Sequence, residues 1–143
     1  MEFLSLGPAF WSILVALVLG AVIGAEREFH DKPAGLRTHT LIAIASALFT
    51  VLSMSSAFGD GAADPTRIAS QVLAGMGFVG AGVIISTRGE VRGVTTAASL
   101  WITAAIGMAA GLGEYALAVF TTVAALVVLW GFWLLEKPIS PRK

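Results

Sequence analysis

Five long uncharged runs fill almost the whole chain: residues 3–25, 38–59, 68–87, 93–113 and 115–135. None of them contains Asp, Glu, Lys or Arg. A helix rises about 1.5 Å per residue, so a run of about 20 residues crosses a hydrocarbon core of roughly 30 Å. Lipid offers no partner to a backbone amide, so a chain inside it must satisfy its own polar groups, and helices do that within one segment. The expected fold class is therefore all-α: a polytopic membrane protein, a bundle of about five transmembrane helices. Residues 1–143 are expected to form a single transmembrane domain.

Composition excludes several alternatives. The chain is 57% hydrophobic and 13% charged, with mean hydropathy +0.86. A soluble domain carries about a quarter charged residues, and 143 residues cannot bury five apolar helices on every side. The net charge is zero, which argues against nucleic acid as a partner. With no cysteine and two histidines, disulfides, thiolate chemistry and a His/Cys metal cage are all excluded. No metal and no cofactor are expected. Glu2 precedes the first run without any Lys or Arg, and Glu26-Arg27-Glu28 after it is no small-residue cleavage site. The first run is expected to stay in the protein rather than act as a signal peptide.

Charge placement predicts the orientation. Arg27, Lys32, Arg37, Arg88, Arg92, Lys137, Arg142 and Lys143 lie on one side of a five-span topology, and Arg67 lies on the other. Eight against one makes the first side cytoplasmic, with the N-terminus outside and the C-terminus inside. Asp60, Asp64, Glu114 and Glu2 then face outward. Trp11 falls near the outer interface, and Trp130 and Trp133 near the inner one.

Local signals punctuate the runs. Pro33 and Gly35 break helix between the first two. Asp64-Pro65 reads as an N-cap followed by the first residue of the third helix, and Thr95 or Thr96 as a cap for the fourth. Gly111, Gly113 and Glu114 predict a tight turn into an antiparallel fifth helix. Gly35-Leu36-Arg37-Thr38 is echoed by Gly93-Val94-Thr95-Thr96. The echo reads either as a parallel repeat or as Gly-then-Thr recurring at helix starts.

Glycine is the strongest signal inside the runs. Gly20 and Gly24 are four apart, as are Gly107 and Gly111. Gly75, Gly77, Gly80 and Gly82 cluster in GMGFVGAG. Such spacing strips one helix face and lets backbones approach closely. It fits tight packing within the chain, a homodimer seam, or a backbone-lined path with a kinked helix. No strand precedes the run and no Lys follows it, so it is no phosphate loop. Gln71 is the most polar side chain well inside a run, placed for cross-helix packing with Ser46, Ser53, Ser99 or Thr103, or for lining a polar path.

A polar cluster is expected at the inner rim: Glu26, Arg27, Arg37, Thr38, Arg92, Thr95 and Thr96, with Glu26 pairing to Arg37 or Arg92. It reads as interfacial anchoring or as a patch that gates or recognises something. No ionisable residue lies at mid-depth, which argues against a proton relay or a charged cation site. Glu26, Arg37 and His39 could be grouped as an acid–base set, but no nucleophile accompanies them.

Three blocks occur in order: IGAEREFHDKPAGLRTHTL, QVLAGMGFVGAGVII and VRGVTTAASLWITAAIGMAAGLG. Together they resemble the membrane domain of the MgtC/SapB family over roughly residues 11–135. The matching positions are Glu26, Arg27, Gly35, Arg37, Thr38, Gly77, Gly80, Gly82, Arg92, Gly93, Thr95, Thr96 and Trp101. The resemblance implies a bacterial inner-membrane protein of about five spans, associated with growth at low magnesium and survival of pathogens inside host cells. It implies a non-enzymatic modulator of other membrane machinery, such as the proton-driven ATP synthase. The alternative is a small Mg²⁺ transporter or channel subunit. Many members carry a C-terminal domain of the ACT type, which is expected to be absent here. The implied partners are the lipid bilayer, another membrane protein complex, and a second copy in a homodimer.

Overall fold

A computed structural model describes residues 6–56, 64, 66–87 and 90–131 of the 143. Readings that fall on Glu2, Asp60, Pro65, Arg88, Trp133, Lys137, Arg142 and Lys143 lie outside the described residues.

Each apolar run carries one helix. These are α1 (Leu6–Phe29), α2 (Leu36–Ser56), α3 (Arg67–Val83), α4 (Val94–Gly111) and α5 (Tyr115–Leu126), the last continued by one π turn over Val127–Gly131. The protein is an all-α membrane bundle. Segments Gly7–Phe29, Leu36–Ser55 and Val94–Gly111 are long and apolar enough to span a bilayer, and Arg67–Val83 and Tyr115–Gly131 are shorter apolar helices. The exterior suits lipid rather than water. Phe10, Leu41, Phe78 and Phe120 are 62%, 65%, 85% and 71% exposed, while Ser12, Ser46, Thr50, Ser53, Ser99, Thr103 and Thr122 are buried.

The helix ends differ from the ends of the runs for local reasons. α1 runs past Ala25 and carries Glu26, Arg27 and Glu28 in its last turn. α3 stops at Val83, short of residue 87. Beyond it, β1 (Ile85–Thr87) and β2 (Glu90–Arg92) pair antiparallel, with Ile85 opposite Arg92 and Thr87 opposite Glu90. The β-branched stretch Val83-Ile84-Ile85-Ser86-Thr87 before Arg88-Gly89 favours a hairpin over another helical turn. Gly93 closes that hairpin. It has φ +88°, and a Cβ built on it would strike the Val83 carbonyl. Gly93, not Thr95 or Thr96, therefore starts α4. No side-chain cap is made there, and both threonines lie inside the helix.

At the N-terminus of α3, Asp64 serves the preceding turn rather than the helix cap. Its Oδ1 accepts from Thr66 N–H at 2.9 Å and from Thr66 Oγ1 at 2.8 Å, and the N-cap is Thr66. Ser53 of α2 does the capping from outside: its Oγ lies 3.2 Å from both Ile68 N and Ala69 N. The α4–α5 turn is a Schellman motif. Gly113 (φ +81°) donates to Ala110 O at 3.0 Å, and Glu114 N–H donates to Ala109 O at 2.9 Å.

The core is a wall of close backbone contacts on α2. A Cβ at Gly20 would stand 2.6 Å from Ala43 Cβ, and one at Gly24 would stand 2.7 Å from Leu36 Cα. A Cβ at Gly107 would strike the Ala43 carbonyl, and one at Gly111 would stand 2.7 Å from Ala47 O. Thus α1 and α4 both press on α2 where glycine removes the side chain. Ala16, Ile23, Ala43, Ala47, Ile106, Ala110 and Ala118 fill the remaining interior. A smaller cluster of Ala34, Val72, Met76, Leu100 and Ala104 joins α3 to α4 and to the α1–α2 connection.

Candidate functional site

The polar residues gather where α1 ends and α2 and α4 begin. Arg27, in the last turn of α1, keeps 3% of its side-chain surface exposed, and Glu26 keeps 12%. Arg27 Nη1 is 3.4 Å from Glu26 Oε2. His30 Nδ1 lies 3.1 Å from Glu26 Oε1 and 2.8 Å from the Glu26 carbonyl. Glu26 therefore turns to neighbours on its own helix. Its described ion pairs are with Arg27 and His30 rather than with the expected Arg37 or Arg92, both of which lie on exposed surface. Glu26 Oε2 and Arg27 Nε are buried and have no hydrogen-bond partner.

His39 sits deeper and is fully buried. Its Nδ1 is 3.0 Å from the Gly35 carbonyl, and its Nε2 is 3.0 Å from Ser99 Oγ. The carbonyl can only accept, so Nδ1 carries a proton. Ser99 Oγ also lies 2.8 Å from Thr96 O. Its single proton serves either that carbonyl or the Nε2 of a neutral ring, and a doubly protonated ring satisfies all three contacts. This link joins α2 to α4 one turn inside their starts. An acid–base trio of Glu26, Arg37 and His39 is not assembled: Arg37 faces out, and both His39 nitrogens are engaged.

Of the expected rim residues, the fold draws in Glu26, Arg27 and Thr96, and leaves Arg37, Thr38, Arg92 and Thr95 exposed. Two contributors, Glu28 and Ser99, were not expected at this end. Glu28 Oε2 accepts the Leu36 N–H at 2.8 Å and so caps α2 from the end of α1. Gly35 makes room, since a Cβ there would collide with that carboxylate. The available signal was α2 itself, which opens after a glycine and so lacks its own Ser, Thr, Asp or Asn cap. The bond between His39 and Ser99 had no sequence pattern beyond both being polar residues in apolar runs.

The glycines divide. Gly20, Gly24, Gly107 and Gly111 are the packed ones described above. In α3, Val72, Met76 and Gly80 form the buried stripe, and a Cβ at Gly80 would meet Ala97 Cβ at 3.6 Å. Gly75, Gly77 and Gly82 have nothing within 4 Å of a built Cβ. The helix runs unbroken through the glycine run. Gln71 is exposed, about 100° round the helix from Val72. Of the side chains expected to reach it, Ser53 caps α3 and Ser99 bonds His39. Three other buried hydroxyls bond a carbonyl one turn back on their own helix. Thr50 donates to Ser46 O at 2.8 Å, Thr103 to Ser99 O at 2.7 Å and Thr122 to Ala118 O at 2.8 Å. Among the described residues, no three or more His, Cys, Asp or Glu are placed to hold a metal ion.

These features define a small-residue-packed, multi-helix membrane protein with one buried polar end. The chain belongs to the MgtC family, whose family model matches residues 13–137. It is 48% identical over 123 residues to the Escherichia coli K12 protein named "Putative magnesium transporter YhiD", covering 82% of this chain and 56% of that one. It is 44% identical over 119 residues to "Protein MgtC" of Salmonella typhimurium LT2, covering 83% of this chain and 50% of that one. With "Protein MgtC" of Brucella abortus 2308 it shares 46% identity over 113 residues, 79% of this chain and 46% of that one. The chain thus spans about half the length of the curated relatives it matches. No solved structure matches.

Proposed function

We propose that this chain is a non-enzymatic membrane domain that modulates other membrane machinery during adaptation to low magnesium or to stress inside host cells. The carrying observation is the sealed interior. α1 and α4 meet α2 backbone to backbone at Gly20, Gly24, Gly107 and Gly111. The threonine hydroxyls at Thr50, Thr103 and Thr122 are spent on their own helices. Neither leaves a row of oxygens through which a hydrated ion could move. The broad apolar outside, by contrast, gives ample area for another membrane complex. Under this reading the protein sits in the bacterial inner membrane with its N-terminus outside, and the Glu26–Arg27 end faces the cytoplasm, as the eight-to-one distribution of basic residues favours.

The second reading is a Mg²⁺ transporter or channel subunit, favoured by the name of the Escherichia coli relative. Purified protein in liposomes, with Mg²⁺, Na⁺ and H⁺ indicators, separates the two. The modulator reading expects no flux above protein-free vesicles. Robust flux of any of these ions, lost in Arg37→Ala, would replace it with transport.

A further inference from the structure

Arg27 buries a guanidinium and uses almost none of its donors. Its Nε has no partner, and its polar contact is the single approach of Nη1 to Glu26 at 3.4 Å. A guanidinium offers five N–H groups in a fixed fork that matches two oxygens of a carboxylate or phosphate. Nε and Nη2 make the side-on edge of that fork, and Glu26 does not touch it. The other Glu26 oxygen turns away from Arg27 and lies 3.1 Å from His30 Nδ1. Buried charges normally have their hydrogen bonds filled. The empty edge therefore points to an oxyanion as its complement.

The surroundings indicate which one. Phe29 and Leu36, flanking the α1–α2 connection, are 85% and 42% exposed, and Arg37 is exposed beside Leu36. Apolar side chains facing outward next to a cation, at the end of a membrane helix, match the depth where acyl chains give way to phosphates. We propose that the Nε/Nη2 edge of Arg27 binds a phosphate group, with a phospholipid headgroup as the source its position favours and inorganic phosphate as the other. Nε is buried in this conformation, so binding at it requires a local opening of the structure around Arg27.

The test uses the full chain, ¹⁵N-labelled at arginine, in neutral maltoside micelles. It is titrated in parallel with phosphatidylglycerol, with sodium phosphate, and with sodium chloride at matched ionic strength. The expected result is a saturable shift of the Arg27 Nε resonance and a rise in the unfolding midpoint with the lipid. The rise is lost in Arg27→Lys, which keeps the charge without the fork, and kept in Arg37→Lys. The same response to sodium phosphate would assign the site to the free ion. An Nε resonance unmoved by both, or moved equally by chloride, overturns the proposal, as does equal lipid stabilisation of wild type and Arg27→Lys. Where Arg27→Lys does not fold, the wild-type Nε titration decides alone.

Discussion

The glycines of α1 and α4 and the glycines of α3 share a spacing but not a fate. Gly20, Gly24, Gly107 and Gly111 each admit a neighbouring backbone or Cβ to within 2.7 Å of where a Cβ would stand. Gly75, Gly77 and Gly82 face open space. In a bilayer, close van der Waals packing replaces the hydrophobic effect as the force between helices. The first set is therefore structural in the strict sense, because it sets how near α1 and α4 come to α2. A Cβ at the second set would meet none of the described residues within 4 Å. Small-residue spacing marks a helix that can pack closely, and only the rotation of the helix decides whether it does.

The largest effect that would break this contrast lies at Gly107. Gly107→Val places branched carbon on the Ala43 carbonyl and 2.9 Å from Ser46 Cβ. Overpacking of this kind costs about 3 kcal/mol or more, and reversible unfolding in mixed micelles should register it or fail to find a folded state. Next comes Gly93→Ala. A left-handed φ of +88° and contact with Val83 put its cost at about 1–2 kcal/mol, with the loss read in the same assay and the α3–α4 hairpin the first region to gain proteolytic sensitivity. Ser53→Ala removes the acceptor shared by Ile68 and Ala69. A lost cap costs about 1 kcal/mol, and faster amide exchange at those two residues, with α1 unaffected, is the signature to look for.

The smallest effect is a pH dependence. The bonds from Thr66 N–H and then Thr66 Oγ1, with Arg67 nearby, hold the Asp64 carboxyl below the usual carboxylate range. A group whose pKa is lower in the folded state adds stability above its ordinary value and loses it as pH falls through the lowered one. The wild-type unfolding midpoint should therefore decline on the acid side of the ordinary carboxylate range. Asp64→Ala should flatten that decline slightly, since the group is fully exposed. A decline unchanged by the substitution would assign it to other carboxylates.

How much of this was readable from the chain follows from the same physics. The five helices were legible because lipid forbids unsatisfied backbone, so an uncharged run of about 20 residues leaves little choice. The turn at Gly113 was legible because a left-handed residue at a helix end wants glycine. The hairpin after Val83 carried its own signal in β-branched residues before Arg88-Gly89, but a count of uncharged residues ran straight over it. The polar end was half legible. Glu26 and Arg27 were identifiable as charges in a helix's last turn, but their turning toward each other depends on side-chain direction that spacing does not encode. The cap from Glu28 and the link from His39 to Ser99 were invisible for a further reason: each acts on another helix, across 8 residues from Glu28 to Leu36 and across 60 from His39 to Ser99.

The most direct measurement compares Gly107→Val with Gly75→Val in one set of bicelles, by the free energy of unfolding. The account predicts a loss of about 3 kcal/mol or more for Gly107→Val. For Gly75→Val it predicts a change within about 1 kcal/mol of wild type, since only helix propensity is altered. Equal losses at the two positions would contradict it, because they would mean that the open face of α3 is as closely packed as the wall on α2.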